Sequence, residues 1–333
     1  MRKIKLFFVV LTIAVVVMTE AFIPERSNPA CDPHLTRCGA SAEGRSKAER
    51  MDFSPDSILR YSSMDAAGKS TWYSNVAKTY QEYRPTYSEA IVTYMIQRCP
   101  NLKPTDMLLE IGSGPGTATS SFAGLVKNIT CVEPNVDFCE IAAKTVGQKF
   151  PNVEILHTSL ENYTTDVKFD AILAASSIHW LDPDIAREKC ASLLKDGGSL
   201  LLLWNNMVQP TESVIDGLKD IYIKYAPHLF EPYVTPGVTR LELLREVGNR
   251  VAFGAFENLQ FGYTIENLEL SAFEYCQTLL TYSPYFVLET RDELFRQITH
   301  YIDTQLGGTI SLTYEAAFHT ATKVRISSSP DEL

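Results

Sequence analysis

Short apolar runs and amphipathic stretches alternate through the middle of the chain. Five segments with apolar runs are each predicted to contain a strand, at residues 108–110, 128–134, 153–157, 169–180 and 193–204. In the fourth, His179-Trp180 follows the strand, and in the fifth a helix end and a tight turn precede it. The stretches between them suit helices, as in 117–125, which follows a turn directly. Strands that alternate with helices form a mostly parallel sheet with helices on both faces. The pattern therefore predicts an α/β fold with a doubly wound sheet, whose core lies within residues 105–206.

The first predicted strand ends in a turn with glycine at alternate positions. A strand, a glycine turn and a helix together bring backbone N–H groups close to a ligand at the edge of such a sheet. A dinucleotide-binding turn would have glycine where this chain has Thr117. The spacing of the glycines from the preceding acid instead resembles the first motif of class I S-adenosylmethionine-dependent methyltransferases. The resemblance implies that the methyl donor contacts Glu110, Gly112, Ser113, Gly114 and Gly116.

Two later segments resemble the parts of that family that bind the donor's nucleoside. The second strand ends in Glu133, and an acceptor-only carboxylate at this place in a doubly wound sheet suits the ribose diol. An exposed acid at a strand end is the alternative interpretation. Leu160 and Glu161 follow the third strand, where the resemblance implies contacts with adenine. The fourth run, which begins Phe169-Asp170, also fits the family.

The resemblance continues outside these five runs. Residues 76–87 resemble the lead-in of small-molecule methyltransferases related to trans-aconitate methyltransferase, and segments 278–285 and 309–321 resemble the same group. It implies a Rossmann-like, seven-stranded sheet in a methyltransferase domain at 70–333, with the C-terminal strands at about 256–325. Arg84 in the lead-in is a candidate for the donor's carboxylate, because a guanidinium can bind a carboxylate through two hydrogen bonds. An exposed helix arginine is its alternative role.

Residues from about 207 to 265 leave the strand–helix alternation and predict a helical cap after the fifth strand. In small-molecule methyltransferases such an insertion commonly covers the acceptor pocket. Aromatic candidates for the pocket wall, each of which could instead pack in the core of the cap, are Tyr233, Tyr282, Tyr285 and Phe286. His179 follows the fourth strand at the ligand-binding edge and is the candidate general base. Its alternative role is to line the pocket.

The sequence therefore predicts methyl transfer from S-adenosylmethionine to a small molecule. A carboxylate or thioether metabolite would suit the resemblance, and an S-methyltransferase that makes a sulfonium osmolyte precursor is one specific hypothesis. Two alternatives are an NAD(P)-dependent oxidoreductase on a similar sheet and a non-catalytic scaffold with the same fold. Thr117 disfavours the first, while the intact glycine turn and Glu133 disfavour the second.

Composition limits the expected partners. The 333 residues carry a formal net charge of −10, which disfavours nucleic acid, because binding to a phosphate backbone calls for a basic face. The seven cysteines include no C-x-x-C pair and the six histidines show no metal-ligand spacing. We therefore expect free thiols and no metal. The expected partner is the small-molecule acceptor, and the oligomeric state is left open.

The N-terminus has the features of a targeting sequence. Basic residues precede an apolar run at 6–18, and small residues follow it, as in a cleavable signal peptide of residues 1–21. The run is short for a bilayer span, which needs about 20 apolar residues. The Ala-Phe-x-Pro sequence at 21–24 resembles the junction of bipartite plastid presequences in algae with secondary plastids, so residues 22–50 are interpreted as a disordered transit-like segment. These features predict the plastid stroma, without stable membrane association after cleavage.

An uncleaved anchor and ordinary secretion are the alternatives to plastid import. The tail at 330–333 resembles an ER-retrieval signal but lacks its usual first residue. Asn128 and Asn162 are formal glycosylation acceptors. Both are expected in or beside the nucleotide site, where a glycan would be disruptive. That expectation favours a compartment without glycosylation.

Overall fold

The computed structural model describes residues 59–99, 101–230 and 240–325. The predicted presequence, Tyr233 and the C-terminal tail lie outside these ranges. Within them, no helix is both long and apolar enough to cross a membrane.

A single mixed sheet organises the described part of the chain. Its strands are β1 (Met107–Ile111), β2 (Asn128–Glu133), β3 (Val153–His157), β4 (Phe169–Ala175), β5 (Leu194–Asn205), β6 (Gln209–Pro210), β7 (Phe256–Ser271) and β8 (Thr309–Lys323). Five parallel strands stand in the order β3-β2-β1-β4-β5, and antiparallel β8 lies between β5 and β7. The predicted doubly wound fold is confirmed. The seven predicted strands are the seven long ones, and the two-residue β6 is added beside β8.

Helices pack on both faces of this sheet. They are α1 (Ala66–Thr71), α2 (Ala77–Tyr83), α3 (Glu89–Gln97), α4 (Thr117–Phe122), α5 (Val136–Ala142), α6 (Pro183–Leu193), α7 (Glu212–Tyr225), α8 (Pro227–Phe230), α9 (Arg240–Ala252), α10 (Ala272–Leu280), α11 (Ser283–Phe286) and α12 (Arg291–Gln305). Successive strand residues point to opposite faces. In β1, Leu108 joins the core formed with α3 and α4, whereas Leu109 joins the core formed with α6 and α9.

The predicted cap at 207–265 is not one unit, which corrects the expectation. Helix α7 packs against α12, and α12 packs against α10, so the cap consists of α7 with the helices between β7 and β8. Helix α9 instead lies on the sheet beside α6. Its residues Leu244, Val247 and Val251 are buried in the core that α9 forms with α6 and the sheet. Both α7 and α9 have one apolar face, and such a face does not identify the surface that covers it. The chain returns to the sheet at Phe256, where the C-terminal strands are predicted to begin, so the predicted cap range extends into β7.

The carboxyl ends of β1 to β5 meet at one edge of the sheet, where open α/β sheets bind ligands. The N-terminal helices α1 and α2 lie over this edge, as their side-chain contacts below show. Asn128 is the first residue of β2 and therefore stands at the opposite edge, so the expectation that it lies beside the nucleotide site is wrong. Asn162 does follow β3, close to Glu161. Only one of the two glycosylation acceptors is therefore near the candidate site.

Candidate ligand site at the carboxyl edge of the sheet

The turn between β1 and α4 has the geometry of a backbone cradle. All three of its glycines have positive φ, at 61° for Gly112, 57° for Gly114 and 91° for Gly116. A Cβ on Gly116 would stand 2.6 Å from a methyl carbon of Val146, so that position is closed to any side chain. A Cβ on Gly114 would meet nothing within 4 Å. The turn is therefore crowded on its protein side at Gly116 and open at Gly114, where a ligand could approach the backbone.

Glu133 lies directly beside this turn. The backbone N–H of Gly114 donates to its Oε2 and the N–H of Asn135 donates to its Oε1, both at 2.8 Å. Its side chain is only 5% exposed, and burial raises its pKa to about 7, although the two backbone donors act in the opposite direction. Each carboxylate oxygen can accept two hydrogen bonds. One acceptor site on each oxygen therefore remains for a diol.

Glu110 lies deeper than Glu133. It is fully buried, its Oε2 accepts a hydrogen bond of 2.7 Å from Thr119 Oγ1, and its Oε1 has no partner among the described residues. Burial, and then the charge of Glu133, raises the pKa of Glu110 to about 8. The hydroxyl of Ser113 is also buried without a partner. Buried polar atoms are normally hydrogen-bonded, so two unpaired atoms beside one turn call for an explanation such as a ligand.

The predicted adenine contacts follow β3, next to β2 in the sheet. Leu160 is 2% exposed and packs in the core that contains Ile178. The carboxylate of Glu161 is one-third exposed and lies 3.7 Å from the ammonium of Lys69 on α1. The chain therefore provides an apolar and an acidic side chain on the side of Glu133 away from β4.

Polar groups connect the ends of β4 and β5 to the lead-in segment. The hydroxyls of Tyr87 and Ser176 are 3.0 Å apart, and Ser176 also accepts a hydrogen bond from the backbone N–H of Asn205. The side-chain amide of Asn205 donates to the carbonyl oxygens of Pro85 and Thr86, and its Oδ1 is buried without a partner. Ser176 has φ of 51°, a strained value for a residue with a side chain, and such strain clusters at functional sites.

Arg84 ends α2, since the residue before a proline disfavours helical angles. Both of its hydrogen bonds come from Nη1, to the carbonyl oxygen and the hydroxyl of Thr281. Its guanidinium lies 4.0 Å from the ring centre of Tyr282 and 5.1 Å from that of Tyr80. It forms no ion pair with a carboxylate of the described residues. The alternative of an exposed helix arginine is therefore wrong, because tyrosines enclose this charge.

His179 lies in a single 3₁₀ turn, Ile178–Trp180, directly after β4. Its ring packs 5.9 Å from that of Trp204, and its Nδ1 is buried without a partner among the described residues. Burial, and then the charge of Arg84, lowers the pKa of His179 to about 4. The imidazole is therefore neutral at neutral pH, and its lowered pKa makes it a weak proton acceptor.

An aromatic cover over the site was not predicted from the sequence. Tyr61, Trp72 and Tyr73 come from the N-terminal helical segments and pack against Trp180, which follows β4, and Phe286 of α11. We call these five residues the aromatic cover. Two hydrogen bonds, from Trp72 to Ser283 and from Asn135 to Ser74, hold the N-terminal segment against the rest of the site. The density of aromatic residues between 61 and 73 was the available signal.

The predicted wall residues divide between two roles. Tyr285 shares a hydrogen bond of 3.1 Å with Tyr222 and is buried in the cap, so it belongs to the core there. Tyr282 lies under Arg84, and its hydroxyl accepts a hydrogen bond from the backbone N–H of Val208. Phe286 belongs to the aromatic cover. The described residues contain no group of His, Cys, Asp or Glu arranged to hold a metal ion.

Comparison with known proteins relates this chain to methyltransferases. Residues 109–202, from β1 to β5, match a family model described as "Methyltransferase domain". A candidate methyltransferase of Dictyostelium discoideum is 26% identical over 160 residues, which cover 48% of this chain and 56% of that protein. An uncharacterized methyltransferase of Mycobacterium bovis is 26% identical over 133 residues, or 40% of this chain and 51% of that protein. The chain thus spans about half the length of the curated relatives that it matches.

A solved structure extends the likeness of the fold. A candidate type II methyltransferase from Anaeromyxobacter dehalogenans superposes with a TM-score of 0.54 at 16% sequence identity, over 73% of this chain and all of that one. The shared fold, the family model and the relatives support a class I methyltransferase. The matched residues 109–202 include the glycine turn and Glu133 of the candidate site.

Proposed function

We propose that this protein transfers a methyl group from S-adenosylmethionine to a small-molecule acceptor. The pairing of the open turn at Gly114 with the buried carboxyl of Glu133, 2.8 Å from its N–H, is the observation that carries the proposal. A scaffold without a ligand has no need of such a turn.

The donor fits the groups at the ends of β1, β2 and β3. Glu133 takes the ribose hydroxyls through the acceptor sites that its two backbone bonds leave open. Leu160 and Glu161 flank the adenine. The methionine part lies against Gly112–Gly116, where the unpaired hydroxyl of Ser113 gains a partner. Glu110, which is fully buried, is proposed to contact the donor through its unpaired Oε1.

S-adenosylmethionine, when bound, supplies a methyl group attached to a cationic sulfur. Because that sulfur becomes a neutral thioether on methyl transfer, the leaving group needs no acid. The protein's contribution is to align the acceptor with that methyl group and to exclude water. The aromatic cover lies over the edge and provides that exclusion. His179, neutral and with an unpaired Nδ1, lines the acceptor side of the site, and its lowered pKa makes it a weak base. The acceptor is proposed to be a carboxylate or thioether metabolite, with the S-methyltransferase of a sulfonium osmolyte precursor as the specific hypothesis.

The test measures binding of the donor product to the folded chain. We expect S-adenosylhomocysteine to bind in calorimetry, and Glu133→Ala to lose about 2–3 kcal/mol of that affinity, the scale for a charge-assisted hydrogen bond. Glu154→Ala is the matched control, because this exposed carboxyl lies on the neighbouring strand β3. Equal affinity of the Glu133 variant and wild type would refute the site. Binding of NADH instead would favour the oxidoreductase alternative.

A further inference from the structure

Two side chains near the ends of β4 and β5 have polar groups that the described residues leave unsatisfied. The Oδ1 of Asn205 is buried and accepts no hydrogen bond. The guanidinium of Arg84 has five N–H donors, and only those on Nη1 have partners. An enclosed charge without a counterion is costly, and so is a buried acceptor without a donor. Both costs would be relieved by one ligand that brings an anion and a hydrogen-bond donor.

The two groups belong to the same part of the site. Asn205 donates from its amide to the carbonyl oxygen of Pro85, the residue that follows Arg84. Arg84 lies over Tyr282, whose hydroxyl binds the backbone N–H of Val208, three residues beyond Asn205. Both side chains are therefore held between the lead-in segment and the end of β5.

The end of β5 is separate from the donor groups. The donor is proposed to extend over the ends of β3, β2 and β1, and β5 is two strands beyond β1 in the sheet. Neighbouring strands are about 4.8 Å apart, so the end of β5 lies roughly 10 Å from the glycine turn. That separation places Asn205 beside the acceptor rather than beside the donor's methionine part, and the hydrogen bond from Asn205 to Pro85 holds the neighbouring Arg84 near it.

We propose that the acceptor is a hydroxy acid, whose carboxylate binds Arg84 and whose hydroxyl donates to Oδ1 of Asn205. The inference rests on the proposed methyltransferase function and names its acceptor class. A neutral hydroxyl suits Asn205 better than an ammonium, because the charge of Arg84 disfavours a second cation nearby. A carboxylate suits Arg84, because the planar guanidinium presents paired N–H donors.

The experiment uses the folded chain saturated with S-adenosylhomocysteine and three pairs of acids that differ by one hydroxyl. These are lactate and propionate, malate and succinate, and 3-hydroxybutyrate and butyrate, each measured by calorimetry. We expect at least one hydroxy acid to bind about tenfold or more tightly than its partner, since a site built for a hydroxyl rejects the analogue that lacks it. Absence of binding by all six acids to a protein that binds S-adenosylhomocysteine would overturn this inference alone.

Variants assign the two contacts. Arg84→Met should weaken both acids of the preferred pair by tenfold or more, while Arg98→Met, which removes an arginine stacked on Tyr94 at the opposite edge, should weaken neither. Asn205→Leu should abolish the preference for the acid with the hydroxyl. It should leave the affinity for the acid without the hydroxyl within about threefold of wild type. Asn206→Leu is its control. Asn205→Ser replaces Asn205→Leu if the latter fails to bind S-adenosylhomocysteine.

The variants also separate this inference from its competitors. A loss of S-adenosylhomocysteine affinity in Arg84→Met, with unchanged acid binding, would assign the guanidinium to the donor's carboxylate and overturn the proposal. An equal loss of both acids in Asn205→Leu would reduce Asn205 to a structural bridge and overturn its role. Failure of wild type to bind S-adenosylhomocysteine at all would refute the proposed function itself.

Discussion

Replacing Glu110 with glutamine should remove much of the pH dependence of this protein's stability. In the folded chain, burial and the neighbouring Glu133 raise the pKa of Glu110 from 4.5 to about 8. Between these two values the native state holds a proton that the unfolded state releases. The free energy of unfolding therefore falls as the pH rises through this window, and the stabilising contribution is complete only below the unfolded pKa.

The size of the effect follows from the two pKa values. One pKa unit corresponds to about 1.4 kcal/mol, so between pH 5 and pH 8 the titration of Glu110 lowers the free energy of unfolding by about 3–4 kcal/mol. Glutamine keeps an oxygen that can accept the hydrogen bond from Thr119 Oγ1 but carries no charge. The variant should be more stable than wild type at pH 8 and close to it at pH 5. A smaller slope remains, because burial also raises the pKa of Glu133 to about 7.

Urea denaturation at fixed pH, followed by circular dichroism, measures these free energies. Glu154→Gln is the control, because it makes the same chemical change at an exposed carboxyl on β3. Parallel profiles for wild type and Glu110→Gln between pH 5 and pH 8 would refute the reasoning. Such a result would mean that the carboxyl of Glu110 titrates near its ordinary pKa despite its burial.

Three further predictions concern the turn, the candidate base and the presequence. Gly116→Ala should lower the free energy of unfolding by about 1–3 kcal/mol in urea denaturation, because Gly116 has positive φ and the added Cβ would collide with Val146. Gly124→Ala should cause no such loss, because an added Cβ there meets open space. His179→Ala should mainly raise the acceptor KM, with less than about tenfold loss of kcat in a steady-state assay; a loss of 10²-fold or more would make it a general base. Phe22→Ala should strand a fluorescent presequence fusion outside the plastid, and a wild-type fusion in the ER lumen would contradict plastid import.

The sheet and the glycine turn could be predicted because local patterns determine them. Apolar runs of strand length, each closed by a turn, located β1 to β5 closely, and the last alternating segment became β8. The helical cap predicted at about 207–265 contains α9, but the pattern does not identify the surface on which α9 packs. That choice depends on a contact distant in sequence, since Gly248 allows α9 to approach His319 of β8.

The acceptor side of the site could not be predicted for the same reason. Asn205 and Ser176 are ordinary polar residues at strand ends, and their importance appears only when Tyr87, Pro85 and Thr86 pack against them. Arg84 was noticed from a motif, but its enclosure by tyrosines requires α11 and the end of β5 to meet it. The sequence motif identifies the glycine turn that is proposed to bind the donor. The residues that are proposed to bind the acceptor come from several segments that are distant in sequence.

The aromatic cover gives this protein a built-in optical probe. The chain contains three tryptophans, and all of them lie at the candidate site. Trp72 belongs to the N-terminal segment and Trp180 to the sheet edge, with ring centres 6.4 Å apart, while Trp204 packs against His179. Any movement that lifts the N-terminal segment must separate Trp72 from Trp180 and change the emission of both. Intrinsic fluorescence, recorded in a stopped-flow instrument without any label, would therefore follow the opening and closing of the site in real time.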